Sequence, residues 1–209
     1  MARSDNGWRL LLRLARWAEA PALWVGRITS WLQLPLVAII VFDAISRRYI
    51  RSLDFVIENN LHVYFNSPAI QDAEWHLHTV IFFGALGYAY TRHAHVRLDV
   101  IRPRFGPMGR LWVEFLGGLL LLLPFVAIIA YEAFIFFKIA WVHDEAAGEA
   151  NGIGNRWFIK FFIVLGPGLL FLSGLAMLTR LAVRLFGPPY LAEETGTAAI
   201  SEQSYSAFN

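Results

Sequence analysis

Long apolar segments are the feature that most restricts the fold of this chain. Of its 209 residues, 57% are hydrophobic and only 16% are charged, whereas a soluble domain has about half apolar and a quarter charged residues. The apolar runs approach the roughly 20 residues that an α-helix needs to cross a bilayer core of about 30 Å. They are continuous and do not alternate with polar residues, which disfavours a β-barrel. We therefore predict an all-α integral membrane protein.

The apolar segments predict four membrane-spanning helices within one membrane domain at residues 21–189. The helices are expected at about residues 24–45, 72–91, 110–141 and 156–186. Pro124 in the third helix and Pro167 in the fourth predict local bends, because proline removes a helical hydrogen bond. Residues 190–209 are polar, follow a Gly-Pro-Pro stop, and predict a disordered tail.

The first 20 residues predict a separate element. Residues 1–20 carry Arg9, Arg13 and Arg16 on one face of a helix and apolar residues on the other. This amphipathic pattern is typical of a helix that lies in the membrane interface on anionic lipid. Pro21 is expected to end that helix before the first spanning segment begins.

The distribution of charge predicts the orientation of the chain. The net charge is only +2, so the chain lacks the strongly basic surface of a nucleic-acid-binding protein. Lys and Arg gather before the first spanning helix, between the second and third, and at the end of the fourth. The other two connections are acidic. The positive-inside rule then predicts that both termini, and with them the tail, lie in the cytoplasm.

Neither cofactor chemistry nor catalysis is expected in this chain. It has no cysteine, which excludes thiolate metal sites. A di-haem four-helix cytochrome needs histidine pairs on facing helices, but His76, His78, His93 and His95 all stand at the ends of one predicted helix. No nucleophile–base spacing or phosphate-binding loop occurs either. The alternatives to a non-catalytic subunit are a cytochrome b-like membrane redox subunit and a small integral membrane enzyme.

Several short motifs lie at the ends of the predicted helices. They occur in the same order as in one known family. They are Phe42-Asp43 with Arg47-Arg48-Tyr49, Glu74-Trp75-His76, Gly87-Tyr88, His95-Val96-Arg97-Leu98-Asp99, Arg156-Trp157 with Ile159-Lys160 and Gly166, and Phe186-Gly187-Pro188-Pro189. Over about residues 25–190 the chain resembles the small membrane subunit, DctQ-like, of TRAP (tripartite ATP-independent periplasmic) transporters. It departs from that pattern at the connection 51–70, which looks longer than usual, and at Val164, where the family commonly has proline.

The resemblance implies a function and a set of partners. In that family the small subunit packs against a large membrane subunit, which moves as an elevator and receives an organic acid from a periplasmic binding protein. The expected function is therefore to scaffold sodium-coupled secondary active transport of carboxylates, including 2-oxo and other monocarboxylates, as a multi-pass protein of the bacterial inner membrane. The expected partners are the large subunit, the binding protein and phospholipids. No cofactor is expected, because the sodium sites belong to the large subunit.

Ten residues are the candidates for contacts with the large subunit or with lipid. They are Asp43, Arg47, Arg48, Glu74, Trp75, His95, Arg97, Asp99, Trp157 and Lys160. The first three are expected to fix the periplasmic end of the first helix, since an acid and a base four residues apart share one helical face. The next two anchor the start of the second helix. The following three tie the cytoplasmic connection to lipid phosphates or to the large subunit, and the last two mark the start of the fourth helix. None is expected to be catalytic or to bind a metal.

Overall fold

The computed structural model of the chain describes residues 2–50, 52–60, 67–94, 105–145, 153–197 and 200. Its α-helices are α1 Ala2–Ser30, α2 Gln33–Ile45, α3 Asp54–Glu58, α4 Ser67–Thr91, α5 Pro107–Gly117, α6 Leu123–Val142 and α7 Arg156–Phe186. Wide π-helical turns occupy Ser46–Ile50 and Gly118–Leu122, and short 3-10 helices occupy Pro189–Leu191 and Glu193–Thr195. No β-strand occurs in the part of the chain that the structure describes, and the all-helical prediction is confirmed.

Three helical stretches are long and apolar enough to cross a membrane. They are Asn6–Ile50, Pro107–Val142 and Arg156–Phe186. Helix α4 is not among them, although with 25 residues it is long enough. It packs mainly against α7, α1 and α2, and a helix face that packs against neighbours tolerates polar residues that lipid would not. The crossing of α4, and with it the count of four spans, stays a prediction.

The predicted break at Pro21 is wrong. Helix α1 continues through Pro21, so residues 2–20 form no separate element. A proline removes a single helical N–H, and Pro21 lies on the exposed face of α1. The continuous helical stretch up to Ile50 has a length of about 70 Å, more than twice the thickness of a bilayer core.

The interruption of this long helix lies instead at the turn Trp31–Leu32. Pro35 stands four residues after Trp31 and lacks the N–H that the Trp31 carbonyl would accept in an α-helix. That carbonyl accepts a bond from the Leu34 N–H at 3.3 Å, so the chain tightens locally. Pro35 therefore accounts for the boundary between α1 and α2.

Pro68 and Pro124 lie near the starts of α4 and α6, whereas Pro167 lies inside α7, which continues through it from Arg156 to Phe186. Pro68 lies in the first turn of α4, where a missing N–H costs nothing. Helix α4 begins five residues earlier than predicted for that reason. Pro124 follows the π-helical turn Gly118–Leu122, whose extra width leaves room for the ring.

Glycines bring α1, α4 and α7 into close contact. A Cβ placed on Gly87 of α4 would lie 2.8 Å from the Ala22 Cβ of α1 and 2.9 Å from the Leu169 carbonyl oxygen of α7. A Cβ on Gly26 of α1 would lie 2.2 Å from the Cβ of Tyr88. Small residues at helix contacts are typical of membrane bundles, where lipid supplies no hydrophobic drive for association.

The described part of the tail packs against the bundle. Leu191 is buried in a cluster with Leu12 and Val183. Ile200 is buried against another cluster, which contains Leu111 and Leu181. The prediction of disorder is therefore wrong for residues 190–197 and 200, because isolated apolar side chains cover the ends of α1, α5 and α7. Residues 201–209 lie outside the described residues.

Candidate functional site

A buried carboxylate closes the end of α2. The Asp43 side chain is 0% exposed and forms an ion pair with Arg47, one turn later, as the spacing predicts. Asp43 Oδ1 and the hydroxyl of the buried Ser46 have no hydrogen-bond partner among the described residues. Arg48 is exposed beside them. A buried charge is tolerated only when it is paired, so Arg47 fixes the chain at the point where α2 gives way to the π-helical turn.

A cavity of about 390 Å³ lies between the beginnings of α4 and α7 and the second half of α6. Its lining residues are Asp72, Trp75, His76, Thr79, Phe136, Arg156, Ile159, Lys160 and Ile163. The Asp72 carboxylate accepts a bond from the Ile153 N–H at 2.9 Å, which ties the segment before α7 to α4. Two of the predicted residues, Trp75 and Lys160, therefore face one cavity.

The Lys160 ammonium is enclosed at this cavity. It forms an ion pair with Glu145, which follows α6, and lies 3.7 Å from the centre of the Phe136 ring. A cation over an aromatic face gains energy when it is shielded from water. Trp157 packs edge-on against Trp141, with ring centres 4.7 Å apart. These two predicted residues hold the beginning of α7 against the end of α6.

The remaining predicted residues divide into two groups. Glu74 is partly buried in α4, and its Oε1 has no hydrogen-bond partner within the described ranges. His95, Arg97 and Asp99 lie outside the described residues, so their expected role at the cytoplasmic connection stays a prediction. Glu74 directly precedes Trp75, which lines the cavity.

A further ion pair joins α1 to α7. Arg180 of α7 forms an ion pair with Glu19 of α1, and the two side chains are 21% and 13% exposed. The sequence predicts basic residues at the end of the last span, but it gives Glu19 no role. The signal for Glu19 is its spacing, because it stands four residues after Ala15 and three before Ala22, in a row of small residues on one helical face.

The rings of His76, His78 and His143 bond to carbonyl oxygens of their own helices. The Nδ1 of His76 lies 2.5 Å from the Asp72 carbonyl oxygen, and the Nδ1 of His143 lies 2.9 Å from that of Ile139. Over the ranges that the structure describes, no group of three or more His, Cys, Asp or Glu is arranged to hold a metal ion.

We expect Lys160→Met to lower the free energy of unfolding by about 1–2 kcal/mol, because it removes an ion pair and a cation–π contact while it keeps most of the volume. Thermal unfolding of the purified protein in detergent measures this loss. Lys138→Met is the matched control, because Lys138 is exposed on α6. Equal unfolding midpoints for the two variants would contradict the role assigned to Lys160.

Comparison with known proteins identifies the family. A family model described as "Tripartite ATP-independent periplasmic transporters, DctQ component" matches residues 36–184. The chain belongs to this family. No curated protein and no solved structure matches it. The DctQ match runs from α2 to the end of α7, so it includes the cavity and the Lys160 ion pair, whereas α1 precedes it.

Membership confirms the predicted resemblance and the class of function. DctQ components belong to a transporter, not to an enzyme, and the family works with a large membrane subunit and a periplasmic binding protein. The apolar helices agree with a membrane protein.

Proposed function

We propose that the chain is the non-catalytic small membrane subunit of a sodium-coupled TRAP transporter, which scaffolds the large elevator-type subunit. The observation that carries this proposal is the DctQ match over residues 36–184. Two ion pairs between elements support it: Glu145–Lys160 joins the segment after α6 to the start of α7, and Glu19–Arg180 joins α1 to α7. Paired charges at helix ends stabilise a rigid bundle, whereas a transport pathway needs polar groups and broken helices at mid-depth.

The topology that we propose has four spans, with α1–α2, α4, α5–α6 and α7 crossing the bacterial inner membrane and both termini in the cytoplasm. The excess of Lys and Arg near the cytoplasmic ends supports this orientation. Sodium and substrate then bind to the large subunit, which receives an organic acid, such as a 2-oxo acid or another monocarboxylate, from the periplasmic binding protein. No cofactor is assigned to this chain.

Purification of the tagged chain from native membranes, followed by mass spectrometry, tests the proposal. We expect a multi-spanning permease to co-purify with the chain. A periplasmic binding protein should be recovered with the permease or be encoded beside it. Deletion of the chain should reduce uptake of the organic acid by roughly tenfold or more, because the large subunit loses part of its fixed frame. A complex that carries haem absorbance and lacks a permease would instead support a redox subunit.

A further inference from the structure

Helix α1 carries two seams of side chains, and the bundle uses only one of them. The inner seam consists of small or buried residues at alternating steps of three and four: Leu12, Ala15, Glu19, Ala22, Gly26 and Thr29. These residues face α4 and α7. The outer seam repeats the same steps with larger residues: Leu10, Leu14, Trp17, Pro21, Trp24, Ile28 and Trp31. All of them are exposed.

The outer seam has the spacing of a helix-packing surface. Steps of four and three residues repeat every seven residues, which keeps one stripe facing a partner helix along a left-handed supercoil. The tryptophans stand seven residues apart, and Trp17, Trp24 and Trp31 are 78%, 65% and 72% exposed. Tryptophan is enriched at protein interfaces, where a few large aromatic side chains supply most of the binding energy.

The depth of these residues disfavours lipid as their only neighbour. The Glu19–Arg180 pair lies near the end of α7. Ala22 of α1 lies against Gly87 of α4, so these two residues are at the same height in the bundle. At 1.5 Å per residue, Trp31 lies about 18 Å further along the axis than Glu19. Tryptophan residues that face lipid are enriched at the level of the headgroups. The outer seam continues to Trp31, and such a row of tryptophans is unsuited to a purely lipid-facing surface.

Arg27 adds a charge to the same surface. It is exposed about 12 Å beyond Glu19 along α1, and its side chain has no ion pair or hydrogen bond among the described residues. Arg27 lies within the predicted first span, and charged residues inside a span normally face protein or water. Arg27 follows Arg9 by 18 residues, or five turns, and so lies in line with the row of Arg9, Arg13 and Arg16. The edge of the outer seam is therefore basic.

We propose that this outer seam, centred on Trp24, Arg27 and Trp31, is the docking surface of α1 for a membrane helix of the large transporter subunit. The helix that docks carries an acidic side chain opposite Arg27. This inference rests on the proposed function and names the surface that carries it out. A second copy of the chain is disfavoured, because two copies with one orientation would set Arg27 against Arg27, and like charges repel across an interface.

Cross-linking tests the surface directly, because the chain has no native cysteine. Trp24→Cys and Trp31→Cys are labelled with a thiol-reactive benzophenone in membranes that contain the complete transporter. Phe125→Cys and Ile128→Cys on α6, which are similarly exposed, are the matched controls. We expect adducts with the large subunit from the two α1 sites and none from the α6 sites.

The other outcomes are decisive as well. Adducts with lipid alone, adducts with a second copy of the chain, or equal yields from α1 and α6 would overturn the docking surface. If the large subunit co-purifies with the unlabelled chain while these cross-links fail, only the surface is wrong. If the large subunit does not co-purify at all, the proposed function is wrong, and the docking surface falls with it.

Charge reversal supplies an independent measurement. Arg27→Glu should lower the amount of co-purified large subunit by roughly tenfold or more, because it sets an acid against an acid. Arg27→Lys should keep most of it, and Lys138→Glu, an exposed position on α6, should leave it unchanged. Equal recovery for Arg27→Glu and Lys138→Glu would overturn the acidic contact.

Discussion

Replacing Gly87 with alanine is expected to lower the stability of the protein, although this change normally favours a helix by about 0.5–1 kcal/mol. The added methyl group would lie 2.8 Å from the Ala22 Cβ and 2.9 Å from the Leu169 carbonyl oxygen. Neither atom belongs to a flexible side chain, so α4 must move away from both α1 and α7. Overpacking of this kind typically costs about 1–3 kcal/mol, and a leucine at position 87 should prevent the bundle from closing.

The matched control is Gly117→Ala in α5. A Cβ at Gly117 meets nothing within 4 Å, so only the gain in helix propensity remains. Thermal unfolding in one detergent, with size-exclusion chromatography to detect aggregation, compares the two variants. A midpoint for Gly87→Ala equal to or above that of Gly117→Ala would show that the three helices have room to separate.

Removing one partner of the Glu19–Arg180 pair is expected to destabilise the protein more than removing both. Glu19→Leu leaves Arg180 largely enclosed without a counter-charge, and breaking such a buried pair costs about 3–5 kcal/mol, with the partial exposure of both side chains favouring the lower end. Glu19→Leu/Arg180→Met replaces the pair with apolar side chains of similar size, a change that is often neutral. The double variant should therefore unfold at a higher temperature than Glu19→Leu.

A double-mutant cycle over the two singles and the double provides the coupling free energy. Arg184→Met, in the last turn of α7, controls for the loss of a basic residue close to Arg180. If the singles and the double are additive within about 0.5 kcal/mol, the two side chains do not interact, and the link between α1 and α7 rests on the small residues alone.

The sequence predicts most of the helical architecture because the apolar segments must be buried in lipid or in each other. Three of the four predicted spans coincide with helices that are long and apolar enough to cross a membrane. The motifs at the helix ends identify the family that the comparison confirms. Asp43 and Arg47 could be paired from their spacing alone, since four residues separate neighbours on one helical face.

Helix boundaries at prolines were harder to predict because each depends on surrounding contacts. Pro21 and Pro35 look alike as sequence signals, yet α1 passes through Pro21 and ends before Pro35. The cavity depends on how α4, α6 and α7 are placed, which local patterns do not contain. The same limit applies to Leu191 and Ile200, whose burial depends on surfaces formed by distant parts of the chain.

The packing of α4 against α1, α2 and α7 bears on how the protein is made. In the proposed topology α4 crosses the membrane, yet Asp72, Glu74, His76 and His78 make it too polar to partition into lipid by itself. Its insertion must therefore draw on α1 and α2, which leave the ribosome first, and be completed when α7 follows. We therefore expect the biogenesis of this chain to be cooperative: truncation before α7 should leave α4 exposed to membrane quality control, even though α4 itself is intact.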